Sequence, residues 1–273
     1  MRWKCSTRSK NTMRNALLVL PALLAIAAVS APAFAANDTE IFDRTIPLSA
    51  GASFSLTNVN GSISVEGWDR DAVEVHAVKT ARQSTADLAL VRINTDSEPG
   101  RVSVSTIYPP DSPDNDVEVN VDYTVRVPRR ILLAQLATVN GAVRLSGVEG
   151  QGELRSVNGD IDVVRSAGAF SARTTNGGVH VELLRLTASS APSLNPITLE
   201  TVNGSVALAL PHDAAATVDA RSLNGDFHSD LPMSLLSAYS PRGVRGRLGA
   251  GGVPIRLRTV NGAIRVLTLP QSI

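Results

Sequence analysis

Thr138 to Leu184 reads TVNGAVRLSGVEGQGELRSVNGDIDVVRSAGAFSARTTNGGVHVELL. Three times in this stretch a Thr or Ser, one further residue and Asn-Gly lead into an alternation of apolar and polar residues, at a step of 18. The pattern returns as NVNGSI before the stretch and as TVNGSV, SLNGDF and TVNGAI after it. The dipeptides are Asn60-Gly61, Asn140-Gly141, Asn158-Gly159, Asn176-Gly177, Asn203-Gly204, Asn224-Gly225 and Asn261-Gly262, separated by 80, 18, 18, 27, 21 and 37 residues. Self-similarity at a near-constant period is the mark of one supersecondary unit stacked on itself.

The second and fourth residues after each central Gly are apolar: Val143 and Leu145, Ile161 and Val163, Val179 and Val181, Val206 and Leu208, Ile264 and Val266. Between them stand mostly polar residues such as Arg144, Asp162, His180 and Arg265, an alternation that predicts strands with one buried face. Four residues before each Asn comes Leu56, Leu136, Leu154, Ala172, Leu199, Ala220 or Leu257. Each repeat is therefore strand, Asn-Gly corner, strand. Asn-Gly between alternating strands also fits a β-hairpin with a type I′ turn. A repeat of 18 residues instead matches two strands of about six residues and two corners, one coil of a parallel, β-helix-like β-solenoid. The expected corner has Asn in the left-handed region, Gly relieving crowding, Asn side chains bonded from coil to coil, and the preceding Thr or Ser forming a second ladder. Gly147, Gly150, Ala167 and Gly168 mark the second corner.

The fold class expected is thus all-β, with one domain over residues 36–273. Residues 140–269 form the regular coils, interrupted by a Ser/Pro/Ala insertion at 185–197 and by 229–252, whose RGVRGRLGAGG run, around Arg242 to Arg247, reads as a mobile Gly/Arg loop. Residues 40–139 form a more irregular β segment; VEVHAV, LVRINT, RVSVST and VEVNVDYTVRV alternate like strands and would cover the first strand edge of the stack.

Residues 1–35 carry five basic and no acidic side chains, the run ALLVLPALLAIAAV and an Ala-Phe-Ala ending. They read as a secretory signal peptide cut between Ala35 and Ala36, so the protein is expected to be exported, to the periplasm or the cell surface, with no integral membrane segment afterwards. The mature chain then has 21 Lys and Arg against 25 Asp and Glu, a net charge of −4 that argues against nucleic acid as a partner. Its one Lys is Lys79, and the sole cysteine, Cys5, lies in the removed segment. Disulfides, thiolate metals and a thiol nucleophile are excluded.

The order NVNGSISVEGWDRDAVEVHAVK, then YTVRVPRR, then closely spaced TVNG and SVNG repeats resembles the bacterial putative-adhesin family of β-strand-repeat domains of unknown function, family 4097. The likeness runs from about Ile46 to Leu269 and departs from the pattern at the two insertions and at Ser229, where the sixth copy lacks its last apolar residue. It implies an exported β-solenoid and supplies no catalytic residues.

The residues themselves suggest no catalytic, cofactor or metal site. His76, His180, His212 and His228 show no metal-ligand spacing. Asp160, Asp162, Asp226 and Asp230 lie near corners, as carboxylates do in β-helical polysaccharide enzymes, yet the position of Asp160 and Asp226 holds Ala, Gly or Ser in the five other copies. The acidic stretch from Asp111 to Asp122 lacks a calcium-loop pattern. Aromatic residues are 4 % of the chain, few for a sugar platform. The reading that remains is a non-enzymatic, adhesin-like scaffold whose outward positions Arg144, Asp162, His180, Ala207, His228 and Arg265 face an envelope or extracellular protein or glycan. Its alternatives are a carbohydrate-active or carbohydrate-binding β-helix and a purely structural or stress-associated protein.

Overall fold

The computed structural model describes residues 38–110, 117–187, 197–240 and 243–269, all within one compact unit, Asn37–Ile273. The expected signal peptide with Ala35 and Ala36, Cys5, the beginning of the acidic stretch at Asp111, most of the 185–197 insertion and Arg242 lie outside the described residues.

Among the described residues the chain is all-β and solenoid-like, with a single short 3-10 turn at Thr85–Ala89. The first third supplies β1 (Thr39–Pro47), β2 (Ser53–Thr57), β3 (Ile63–Trp68), β4 (Ala72–Ala81), β5 (Arg92–Glu98), β6 (Arg101–Ile107) and β7 (Val119–Pro128). The centre supplies β8 (Arg130–Ala137), β9 (Val143–Ser146), β10 (Glu149–Arg155), β11 (Ile161–Arg173), β12 (Val179–Leu186), β13 (Ile197–Glu200) and β14 (Val206–Leu210). The remainder is β15 (Ala216–Asn224), β16 (Phe227–Ser229), β17 (Met233–Ser240), β18 (Gly243–Leu248), β19 (Val253–Asn261) and β20 (Ile264–Thr268).

These strands form two facing stacks of parallel pairs. One runs β6, β2, β8, β10, the second half of β11, β13, β19, β15. The other runs β7, β3, β9, the first half of β11, β12, β14, β20, β16. Each Asn-Gly corner carries the chain from the first stack to the second, making one level. The apolar positions read from the repeats all point between the stacks: Leu56, Leu136, Leu154, Val143, Ile161, Val179, Val206, Ile264 and their partners are at most 1 % exposed. Full burial of each such side chain contributes about 1.5–3 kcal/mol, so the core grows by a fixed increment per level.

The corners differ from the expectation in one respect. No described Asn is left-handed; Arg165 (φ 49°) is the one described non-glycine residue with positive φ. The corner needs Gly for another reason. A Cβ on Gly141, Gly159, Gly177, Gly204 or Gly262 would run into the main-chain carbonyl of the corner Gly one level below, and one on Gly61 would run into Val121 O. Some of these glycines also take positive φ, such as Gly61 at 121°, but Gly159 does not. The forbidding contact is thus between levels rather than within the turn.

Asn side chains are bonded level to level at 2.8 Å, each Nδ2 donating to the preceding Oδ1: Asn140 to Asn60, Asn158 to Asn140, Asn176 to Asn158, Asn203 to Asn176, Asn261 to Asn203 and Asn224 to Asn261. The Thr and Ser hydroxyls do not bond one another. Thr138, Ser156, Thr174, Thr201, Thr259 and Ser222 are buried, and each donates to the carbonyl of a neighbouring corner Gly at 2.8–3.0 Å.

The order of levels departs from chain order at the end: the level of Asn261 lies between those of Asn203 and Asn224. Residues 229–252 are the cause, and they correct the loop expected there. β17 and β18 form an antiparallel hairpin, and β18 pairs antiparallel with the outer edge of β15. The returning chain therefore enters as β19 on the inner edge of β15, against β13. The glycines that suggested mobility have fixed positions. Gly249, Gly251 and Gly252 bend the chain with positive φ, and Gly246 leaves room for the Met233 side chain. At the opposite end β4 lies antiparallel on β7 and β1 on β4, while β5 lies antiparallel on β6.

Candidate functional site

The histidines and carboxylates singled out in the sequence are not brought together. His180 is separated from His228 by Ala207 and Arg265 in register. His76 Nδ1 lies 2.6 Å from Asp43 and His228 Nε2 2.9 Å from Asp230, while His212 and Asp226 are exposed. Asp162 lies 3.5 Å from Arg144 on the next level. Asp160 Oδ1 accepts the Gly178 N–H at 2.7 Å. Asp122, at the end of the acidic stretch, likewise accepts the Ser62 N–H at 2.8 Å and its hydroxyl at 2.6 Å. Asp160 thus joins neighbouring corners, and Asp122 ties β7 to the corner of Gly61. No group of three or more His, Cys, Asp or Glu suited to a metal occurs among the described residues.

Other polar side chains are tied into the first end of the stack. Burial pushes the Tyr108 and Tyr123 phenols up to about 12; Tyr123 Oη shares a 2.6 Å hydrogen bond with Thr106 Oγ1, and Tyr108 Oη donates to Val119 O at 3.1 Å. A hydrogen bond from Arg129 lowers the carboxyl of Asp69, its Nε donating at 3.0 Å.

A concave feature of the surface lies elsewhere, along the strands that enter the corners. Three residues before successive Asn residues, the register aligns Ala137, Arg155, Arg173, Glu200, Arg258 and Arg221 into one column, which ends at Gly243 of β18. One residue before the Asn a second column carries Val157, Thr175, Val202, Val260 and Leu223; Val157, Val202 and Leu223 are 40 %, 41 % and 59 % exposed. Between the columns runs a trough of ≈ 1160 Å³. Its floor is formed where the buried Thr and Ser side chains turn inward. The main chain there is already bonded between levels, with Thr138 N to Arg155 O, Thr174 N to Glu200 O and Thr201 N to Arg258 O all at 3.0 Å. One wall is therefore cationic and the other apolar, above a floor with no main-chain donor to spare at these positions.

The arginines are held by acids beside or within their column. Arg155 and Arg173 reach Glu153 at 2.6 and 3.2 Å, Arg173 and Arg258 reach Glu200 at 3.1 and 3.9 Å, and Arg221 reaches Asp219 at 3.1 Å. Partly exposed pairs of this kind contribute about 0–1 kcal/mol each, so they orient the guanidinium groups and could be exchanged for a ligand's carboxylates at little cost. These residues were not singled out in the sequence because the outward positions were read only after the corner. The signal was present before it, in LRSVNG, ARTTNG, LETVNG, ARSLNG and LRTVNG.

The model of the Toastrack DUF4097 family matches residues 33–267. The chain belongs to this family. No curated protein matches it. Among solved structures, a putative cell adhesion protein from Clostridium sporogenes aligns at 8 % identity over 84 % of this chain and 100 % of its own, with a TM-score of 0.43. A putative adhesin from Bacteroides fragilis aligns at 10 % identity over 84 % and 97 %, with a TM-score of 0.34. Similarities of this size say nothing about what the Toastrack chain binds. No helix among its described residues is long and apolar enough to cross a membrane.

Proposed function

We propose that this Toastrack protein is an exported, non-enzymatic, adhesin-like scaffold. In this reading it is a parallel β-solenoid of Asn-Gly coils, placed in the periplasm or at the cell surface, that presents a rigid strand face to an envelope or extracellular partner. The supporting observation is the alignment of outward side chains into columns locked by level-to-level main-chain and Asn hydrogen bonds, with a trough between two of them. Such a surface has little conformational entropy to lose on binding, and pre-organisation favours recognition of an extended partner.

The test uses the protein recovered after secretion, incubated with isolated envelope material, peptidoglycan and a glycan array while retained protein and released fragments are both measured. Saturable retention without fragments is the expected result. Release of fragments that stops when Asp160, Asp162, Asp226 or Asp230 is replaced by Ala would overturn the scaffold reading in favour of a carbohydrate-active enzyme.

A further inference from the structure

The trough has a size and a chemistry that select among partners. It crosses seven strands, from β8 to β18, a span of about 29 Å at about 4.8 Å per step. An extended chain laid along the trough, parallel to the two columns, would meet both walls over its whole length.

The two walls select further. In an extended peptide successive side chains point to opposite sides. The charged and apolar columns run from β10 to β15, four steps or about 19 Å, which corresponds to about six residues at about 3.3 Å each and so to about three side chains on either side. The cationic wall carries four arginines, Arg155, Arg173, Arg258 and Arg221, with Glu200 in the column and Glu153 and Asp219 beside it, an excess of one positive charge. The opposite wall carries four exposed or half-buried aliphatic side chains, Val157, Val202, Val260 and Leu223. Among the described residues the lining has no aromatic side chain on which a sugar ring would stack. This cationic strip lies on a chain whose expected mature net charge is negative, so the local field opposes the overall one.

We propose that the trough receives an extended peptide strand in which acidic and apolar residues alternate, its carboxylates meeting the arginine column and its apolar side chains the valine column. Arg presents a planar fork matched to carboxylates, and the floor's main chain is occupied, so recognition proceeds through side chains rather than by adding a strand to a sheet. The proposal rests on the reading of the strand surface as a binding face and names its partner class.

The experiment follows the fluorescence anisotropy of a dye-labelled peptide alternating Glu and Val, titrated with the secreted protein. Comparison probes are a block peptide of the same composition, the Lys-Val counterpart, an oligogalacturonate and phosphatidylglycerol vesicles. Saturable binding of the alternating acidic peptide is expected, weaker by about tenfold or more for the block and lysine peptides, and weakened by salt. The double replacement Arg173→Glu and Arg258→Glu should lower affinity by about tenfold or more; Val202→Ser, on the other wall, gives an independent variant, and thermal melts show that each folds. Equal binding of the block peptide would overturn the alternation. Binding of the oligogalacturonate or the vesicles alone would overturn the ligand class. If none of the probes binds while the protein is still retained by envelope material, the trough proposal fails and the scaffold reading stands.

Discussion

The side-chain amide of Asn261 donates to Asn203 Oδ1 at 2.8 Å across 58 residues of chain, and accepts at 2.8 Å from Asn224, which precedes it in sequence. Within the Asn column every amide points the same way, so each member between the ends takes part in two bonds and each end member, Asn60 or Asn224, in one. Replacing Asn158 by Ala should cost about 1–3 kcal/mol, two hydrogen bonds at about 0.5–1.5 kcal/mol each, and replacing Asn60 about half as much. Urea unfolding of the two variants measures the difference; equal costs would show that the ladder is not cooperative with the fold.

Glycine at the corner is required by the neighbouring level. Gly159→Ala places a Cβ against Gly141 O and should destabilise by several kcal/mol, beyond the 1–3 kcal/mol typical of overpacking, because main chain cannot move aside as a side chain can. Gly100→Ala, at φ 75° with nothing within 4 Å, should lose only about 1 kcal/mol to backbone strain. A Tm lowered more by Gly100→Ala than by Gly159→Ala would reverse the assignment of cause.

Removing a corner hydroxyl isolates another contribution. Thr174→Val keeps the shape but deletes the 2.9 Å bond to Gly159 O, leaving that half-buried acceptor short of a donor at a cost of about 1 kcal/mol. Thr174→Ser should retain most of the stability, and denaturant midpoints for the pair test this directly.

Alkaline pH offers a probe of the first end of the stack. Tyr123 and Tyr108 are raised to about 12 by burial, whereas an unfolded tyrosine ionises near 10. A raised folded pKa means that the stabilisation is complete below pH 10 and is lost as pH rises through 12. For Tyr123, 1 % exposed, it amounts to roughly 2–3 kcal/mol. Tyr123→Phe should flatten the fall in Tm between these values; an unchanged slope would place the alkaline sensitivity elsewhere.

One edge is poorly guarded. β17, MSLLSAYS, has no charged residue, and Leu235 and Leu236 are 64 % and 49 % exposed, whereas β1 and β5 carry acids and arginines. Charges on an edge strand oppose pairing with other chains. Leu235→Lys should therefore reduce self-association in light scattering at high concentration, with Tm shifted by no more than about 0.5 kcal/mol equivalent.

The repeat made the core positions legible because period-2 alternation and a fixed corner leave a strand one way to face. Leu154, Ile161 and Val163 could be assigned to the interior from spacing alone. The order of levels could not: nothing near Asn224 or Asn261 states that 37 residues hold a hairpin which claims the outer edge of β15. The Gly-rich run hid that hairpin because Gly246 is there to admit Met233, a packing relation between strands that local composition does not carry. The candidate site was legible only in part. Arg155, Arg173, Arg221 and Arg258 stand at one repeat offset, but that they face Val157, Val202, Val260 and Leu223 across a concave floor depends on how strands curve into the corner.

The late entry of β19 and β20 between levels already laid down makes the last segment of the chain a keystone. A chain that emerges N-terminus first would have the levels of Asn203 and Asn224 available before the piece that fits between them arrives, so until then it would hold two facing gaps, at β13 and at β15. Loss of the final segment would leave the tower its outer floor and remove the storey beneath it. Chaperones or proteases that inspect newly made chains would find their opening in the middle of the molecule rather than at its tip.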